Sequence, residues 1–369
     1  MFHDELIQHV TELSSNDLAS TVKVYDVAEN FPKELLDKVV SETNLLAILL
    51  SKEEQPVGFR TFLESIRIIS KEFASIASIL LTQGIFVTWT LDQFGTSSQK
   101  EQYLSDLVSC KKIGAFAFSE QDISLKKNFP LTVARETADG WELSGYKHMV
   151  SNATEAEVFL VFAQTIRQNG EKGTAIFIVD SQQAGLSVGS PVSKSGMKSM
   201  PLAPVSFEAV QLPEDALLGD GQKEGLSYLS QILVKMRLAI SAQALGIAEG
   251  VFHKGLAMST LKRGFGKRLI DVSVNQFKFS EMEIKLAACE AVYHDYILTE
   301  MTDSRRVAML KLMTTATAKD LSDEVVRIVG TYSFIEDNDI ERYVNDAKVT
   351  GLYGGTTDSL KRIVAQAWL

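Results

Sequence analysis

The chain has 369 residues, a net charge of −10 and 45% hydrophobic residues, which suits two to three domains of ~150 residues with a sizeable core. The acidic balance, with no basic stripe interleaved with aromatics, argues against a nucleic-acid partner. Apolar runs such as Ala74 to Leu81 fall short of the ~20 residues of a membrane span, and no leader pattern opens the chain. Cys110 and Cys289 stand alone, and the five histidines have no ligand spacing; a cytoplasmic protein without disulfide or metal is expected.

Residues 1–112 carry helical periodicity, with Leu35, Val39, Leu45 and Leu49 among the apolar positions and a second run over Phe62 to Leu81; they are expected to form a helical domain. From 113 to 216 the pattern changes to short β-branched and aromatic runs, Glu157 to Gln164, Thr174 to Asp180 and Ala203 to Leu212, separated by Gly, Ser and Pro. That is the signature of a small β domain. Asp139-Gly140 supplies the positive φ of a hairpin turn, and Ser193 to Pro204 reads as a loop.

After Pro213 there is no further proline, so 217–369 is expected to be a bundle of long helices. Leu233, Met236, Ile240, Ala244, Ile247 and Val251 recur at steps of three and four. So do Leu310, Met313, Leu321, Val325 and Ile328, with Thr317 filling the remaining step. Such stripes are core, and apolar residues beyond one stripe need a second surface, which points to a dimer or tetramer.

Several motifs occur in a fixed order: FGTSSQKEQYL (Phe94 to Leu104), Ser119-Glu120, Lys147-His148-Met149-Val150-Ser151-Asn152, GFGK (Gly264 to Lys267), NQF (Asn275 to Phe277) and NDAKVTGLYGGT (Asn345 to Thr356). Together they resemble the acyl-CoA dehydrogenase family. The resemblance implies an α+β protein of three domains: N-terminal helical, central small β and C-terminal four-helix bundle. FAD is the implied cofactor.

By the same resemblance Ser119 contacts the pyrimidine edge of the flavin and Ser151 lies near its N5, each keeping the hydroxyl of the family's Thr. Phe116 and Phe118 precede Ser119 on the same segment, with Phe116, Phe118 and Glu120 sharing one face if the strand continues. Met149 takes the place of a Trp beside the ring, where a thioether still packs on an aromatic surface. Taken alone, the two serines read equally well as strand-end caps. Lys262, followed by Arg263, stands for an Arg that reaches the pyrophosphate from a neighbouring subunit; Lys keeps the charge and loses the bidentate fork. Phe265, Gln276 and Thr356 complete the implied cofactor contacts. Arg327 replaces a Gln, and of a glycine-rich turn only Gly330 remains, which reads more simply as a helix C-cap.

The family's base is a Glu in Tyr-Glu-Gly-Thr, and here Tyr353-Gly354-Gly355-Thr356 puts glycine there. A minority position just before an Arg is Met236, ahead of Arg237. Asp358 is the nearest carboxylate in sequence, at i, i+4 from Gly354, with a helix N-terminal role as the plainer reading. Tyr353, Gly354, Arg237 and Leu125 line the implied substrate path; Leu125 takes the place of a Ser near the CoA phosphate. The expected activity is FAD-dependent dehydrogenation of an acyl-CoA or carrier-protein-bound acyl thioester with a relocated base. A non-catalytic subunit paired with a Glu-bearing paralogue, and a flavin monooxygenase or oxidase, are the alternatives. Electron-transfer flavoprotein or O₂ would accept the electrons.

Overall fold

The computed structural model describes residues 2–50, 56–121, 130–221, 225–263, 266–299 and 302–369. Leu125 and Phe265 lie outside the described residues.

Eight helices come first: α1 (Asp4–Leu13), α2 (Ala19–Ala28), α3 (Lys33–Thr43), α4 (Leu45–Leu50), α5 (Val57–Glu72), α6 (Ala74–Leu81), α7 (Thr90–Phe94) and α8 (Ser97–Val108). A wider π-helical turn, Thr82–Trp89, joins α6 to α7. The continuous segment Ala74–Phe94 is therefore 21 residues long, longer than the apolar run suggests. It and the later helix over 225–260 are long and apolar enough to cross a membrane, but they are 94% and 83% buried within the protein, as core helices are.

The start of α8 carries a reciprocal capping box: the Thr96 hydroxyl accepts from Gln99 N, and Gln99 Oε1 accepts from Thr96 N. The same Gln99 donates through Nε2 to the carbonyls of Leu217 and Asp215 at 2.7 and 2.8 Å. The FGTSSQ motif thus clamps the helical layer to the exit of the β layer.

Seven strands follow: β1 (Ile113–Ala117), β2 (Val133–Glu136), β3 (Trp141–Ser151), β4 (Ala156–Ile166), β5 (Lys172–Asp180), β6 (Leu186–Val188) and β7 (Leu202–Leu212). They form one sheet in the order β1-β4-β2-β3-β7-β6, with β5 also paired to β4. β2 and β3 make the expected hairpin, with Gly140 at φ +142°. β1 stops at Ala117, so Phe118, Ser119 and Glu120 lie beyond the strand, yet Phe116 and Phe118 still share a side, their rings stacked at 6.3 Å, and Glu120 is buried while Ser119 is exposed.

The bundle consists of α9 (Gly225–Thr260), α10 (Ser273–Leu298), α11 (Ser304–Val329), α12 (Ile340–Thr350) and α13 (Thr357–Ala365). α9 is buried at every residue from Met236 to Phe252, not along one stripe, because α5 covers one side and α11 and α12 the other. Close approach demands glycine there: a Cβ on Gly246 would lie 2.0 Å from the Arg67 carbonyl oxygen. Between α12 and α13 the chain breaks at Gly354 and Gly355, with φ of +72° and +103°.

Candidate active site

The residues singled out in the sequence fall into three groups. In the β layer, the ends of β1 and β3 meet: His148 N donates to the Ser119 carbonyl at 2.8 Å, and Asn152 Nδ2 reaches the Gly114 carbonyl at 3.4 Å. A bulge between Lys147 and Val150 puts Met149 in the left-handed region, φ +56°. Bulges re-aim side chains, and here Lys147 turns fully inward while Met149 is 44% exposed. Ser119 is exposed and Ser151 half-buried, and neither hydroxyl bonds to any described residue.

Phe116 is spent differently. Its ring stacks on Phe86 of the helical layer at 5.3 Å and so binds the sheet to that layer, while Phe118 packs against Phe162 of β4 at 5.6 Å.

Beneath this surface lies an ion pair that the sequence motifs contain but do not announce. Lys147 Nζ stands 2.8 Å from Glu120 Oε1 and donates to the Phe118 carbonyl, while Glu120 also accepts from the backbone N–H groups of Leu131 and Thr132. Burial pushes the Lys147 ammonium down to about 8, against the pull of Glu120. Burial opposes the Glu120 charge too, but Lys147 and the N–H donors outweigh it and hold the carboxyl below its usual range. The pair fixes the backbone that carries Ser119 on one strand end and Met149 on the other.

The second group sits where α9, α11 and the α12–α13 link converge. Arg237 Nε donates to the Gly354 carbonyl at 3.0 Å, and Lys311 Nζ donates to the carbonyls of Tyr353 and Gly355 at 2.7 and 3.1 Å. The Tyr353 hydroxyl donates to Gln243 Oε1. Thr356 caps α13 by accepting from Ser359 N. Asp358 is exposed in the first turn of α13. Because Gly354 lies in the non-helical link, the i, i+4 helical relation expected between it and Asp358 does not exist. Lys311 was not singled out from the sequence; its only signal there is a lysine set between Leu310 and Leu312 in an apolar stripe.

The third group lies at the other end of α11. Gly330, φ +68°, caps that helix; Arg327 is exposed and paired with Glu324. Arg263 Nη1 reaches the Val329 carbonyl, its guanidinium 3.9 Å from the Tyr332 ring centroid. Lys262 and Gln276 are exposed nearby in sequence, Gln276 donating to the Ile270 carbonyl. From Lys311 to Val329 the helix runs roughly 27 Å at ~1.5 Å per residue. One chain therefore does not bring the Gly330 end and the Gly354 end to the same point.

An FAD fits the first group by two observations. Free hydroxyls and an outward thioether share one strand-end surface, and His148 Nδ1 and Asn152 Oδ1 are buried there without a bonding partner. At the Gly330 end only cations and a capping glycine are offered. A separate cavity of about 260 Å³ between β4, β5 and the start of α9 shares no residue with these groups. Among the described residues no cluster of His, Cys, Asp or Glu could hold a metal.

Comparison with known proteins gives three matches along the chain: the acyl-CoA dehydrogenase N-terminal domain over residues 2–111, the middle domain over 115–210 and the C-terminal domain over 223–369. The mitochondrial short-chain specific acyl-CoA dehydrogenase of Bos taurus is 29% identical, over 98% of this chain and 89% of its own. The butyryl-CoA dehydrogenase structure from Megasphaera elsdenii superposes with a TM-score of 0.91 at 26% identity, covering 99% of this chain and 97% of that one. The glutaryl-CoA dehydrogenase of Mycobacterium smegmatis in complex with FADH2 shares the fold, with a TM-score of 0.90 at 21% identity over 99% and 94% of the two chains.

Proposed function

The chain belongs to the acyl-CoA dehydrogenase family, and on that premise we propose that it is an FAD-dependent oxidoreductase of acyl thioesters, carried on CoA or on a carrier protein. The observation that carries this reading is the strand-end surface of Ser119, Met149 and Ser151, braced from below by the buried Lys147–Glu120 pair. When bound, FAD supplies a two-electron acceptor for hydride from the acyl chain. Ser119 and Ser151 would donate hydrogen bonds to its polar edge, and Met149 would cover the ring. Lys262 would face pyrophosphate across a subunit boundary, as the family resemblance implies. Val274, Phe277 and Ile284 leave an exposed apolar face on α10, 54%, 65% and 69% exposed, which supports assembly through the bundle.

Proton removal from the α-carbon is the step with no evident residue. Gly354 offers no side chain, Met236 is buried and apolar, and Asp358 faces solvent at a helix start. This favours a second reading in which the chain is the base-less partner of a Glu-bearing paralogue. A flavin monooxygenase or an oxidase of another kind of substrate, in which reduced flavin would react with O₂ and no α-proton is removed, needs no such base; an oxidase that desaturated an acyl thioester would need one. Buried, unpaired Cys110 and Cys289 fit a reducing, cytoplasmic setting.

The test is anaerobic flavin reduction by a panel of CoA- and carrier-bound thioesters. Bleaching with recovery of an enoyl product by the isolated chain supports the dehydrogenase. Bleaching only after a Glu-bearing partner is added supports the second reading. A protein that stays colourless in excess FAD, alone and with a partner, rejects both.

A further inference from the structure

The cavity of about 260 Å³ beside the β4–β5 hairpin belongs to none of the three groups described above. At ~30 Å³ per water it has room for roughly nine waters, or for an organic molecule with about that many non-hydrogen atoms. Its walls are tied together by the chain itself. Leu218 N donates to the Ile176 carbonyl at 2.9 Å and Leu226 N to the Thr174 hydroxyl at 3.0 Å, which fixes the link after β7 and the start of α9 against β5. Gly225 approaches β5 so closely that a Cβ there would lie 2.8 Å from Ala175 Cα. Gln99 grips the same link, its Oε1 accepting from Gly219 N at 3.1 Å. The space between the walls is therefore pre-formed, as small-molecule sites are.

The lining offers donors without partners. Trp141 is 1% exposed, and its indole N–H, which can only donate, is buried with no hydrogen-bond partner among the described residues. Thr165 and Tyr228 are 8% and 5% exposed, yet neither hydroxyl bonds to any described residue. Stacking of the Tyr228 ring on Phe94 at 4.2 Å fixes where its hydroxyl stands, and burial together with the Asp220 charge raises its pKa and keeps it protonated. Arg167 is committed: Nη1 donates to Glu136 Oε1 at 3.1 Å, and the guanidinium covers the Trp141 ring at 5.6 Å. Lys172 is exposed and in no ion pair among the described residues. The one carboxylate on the lining, Glu171, is also exposed and accepts from Asn169 Nδ2 at 3.5 Å. Unspent donors thus outnumber acceptors, and Leu217 and Leu218 add apolar surface.

We propose that this cavity is a binding site for a small carboxylic acid with an apolar body, its carboxylate held by Lys172 and the Thr165 and Tyr228 hydroxyls and its body by Leu217 and Leu218. The carboxylate uses three of the roughly nine atoms, which sets the body at about six carbons. Such an acid is an effector and not the reacting group. Tyr228 and Arg237 stand nine residues apart on α9, roughly 14 Å at ~1.5 Å per residue, so the cavity and the Gly354 turn are separate places. The site depends neither on the flavin nor on the acyl-thioester reading above. An amide of the same shape offers no charge to Lys172, and a bare inorganic anion leaves Leu217 and Leu218 uncovered, so charge and apolar surface both select the ligand.

Calorimetric titration of the purified protein with hexanoate and benzoate, against hexanamide, benzamide and inorganic phosphate, tests this without turnover. Both acids are expected to bind at least ~10-fold tighter than their amides and than phosphate. Lys172→Gln, at an exposed position, should erase the preference for acid over amide. Tyr228→Phe, which keeps the ring on Phe94, should weaken acid binding roughly 10-fold, the loss of one hydrogen bond to a charged group. In the unaltered protein, where no variant has to fold, three results each overturn the site: no binding of either acid at millimolar concentration, equal binding of acid and amide, or phosphate bound as tightly as the acids. So does an acid preference that persists undiminished in both variants, since the acid is then bound elsewhere in the protein.

Discussion

Arg237 holds Gly354 by its backbone: its Nε donates to the Gly354 carbonyl at 3.0 Å. Lys311 grips the carbonyls on either side, at Tyr353 and Gly355. The turn is thus held through main-chain acceptors by two cations.

A Glu introduced there meets two obstacles. The φ of +72° costs an L-residue about 1–2 kcal/mol, and the new Cβ would lie 2.5 Å from Ile240 Cδ1. Gly354→Glu alone is expected to be destabilised and poorly active. Adding Ile240→Val removes the clashing methyl for about 0.5–1.5 kcal/mol and lets the carboxylate settle between Arg237 and Lys311. If the site is silenced only by the lost base, the double variant should gain roughly 10²- to 10⁴-fold in anaerobic flavin reduction by butyryl-CoA; an unchanged rate in a folded, flavin-bound double variant counts against that.

Glu120→Gln strands Lys147 as a buried, unpaired ammonium, and a loss of about 3–5 kcal/mol is expected. The pH dependence has a definite sign. Burial lowers the folded pKa of Lys147 from 10.5 to about 8, so between those values the unfolded chain binds more protons and the contribution of this group to stability rises with pH. The destabilisation by Glu120→Gln should therefore be larger at pH 6 than at pH 9, since only at high pH can the stranded amine shed its charge. Urea unfolding at the two pH values measures it.

Lys262→Ala should weaken FAD retention, with the larger effect at low salt, because an exposed cation facing pyrophosphate is already screened when salt is high. Ser119→Ala and Ser151→Ala should weaken it with little salt dependence, since each removes a neutral donor. Dissociation constants for FAD at two ionic strengths distinguish the two kinds of contact.

Phe277→Glu combined with Ile284→Lys places charge on the exposed apolar face of α10. Sedimentation at micromolar concentration should then show the oligomer shifting toward monomer, accompanied by loss of FAD if the pyrophosphate end is completed by a second copy. Retention of both assembly and flavin would place the interface elsewhere.

Gln99→Ala removes the reciprocal cap of α8 and both bonds to the Asp215 and Leu217 carbonyls. Loss of a cap alone costs about 1 kcal/mol, and the buried Leu217 carbonyl deprived of this donor adds to it. A fall in thermal midpoint larger than that of Thr96→Ala is the expected outcome.

What the amino-acid sequence determined by itself is whatever depends on neighbours in the chain. Periodicity of three and four marked the helices, β-branched runs between Gly and Pro marked the strands, and Asp139-Gly140 marked the hairpin. The order of short motifs pointed to the family, and the glycine pair at 354 and 355 was legible at once. Tertiary structure decided everything that depends on residues far apart in sequence. It turned Lys147 inward onto Glu120 through a bulge that alternation does not foresee. It buried α9 on all sides, where periodicity suggested a stripe, because α5, α6, α10, α11 and α12 all pack against it. It ended β1 at Ala117, placed Asp358 outside the helical relation that spacing implied, and separated the Gly330 and Gly354 ends along α11. Above all it brought Lys311, unremarkable between two leucines, to the same turn as Arg237. Charge on a side chain is local, but whether that charge finds a partner is set by how distant segments pack.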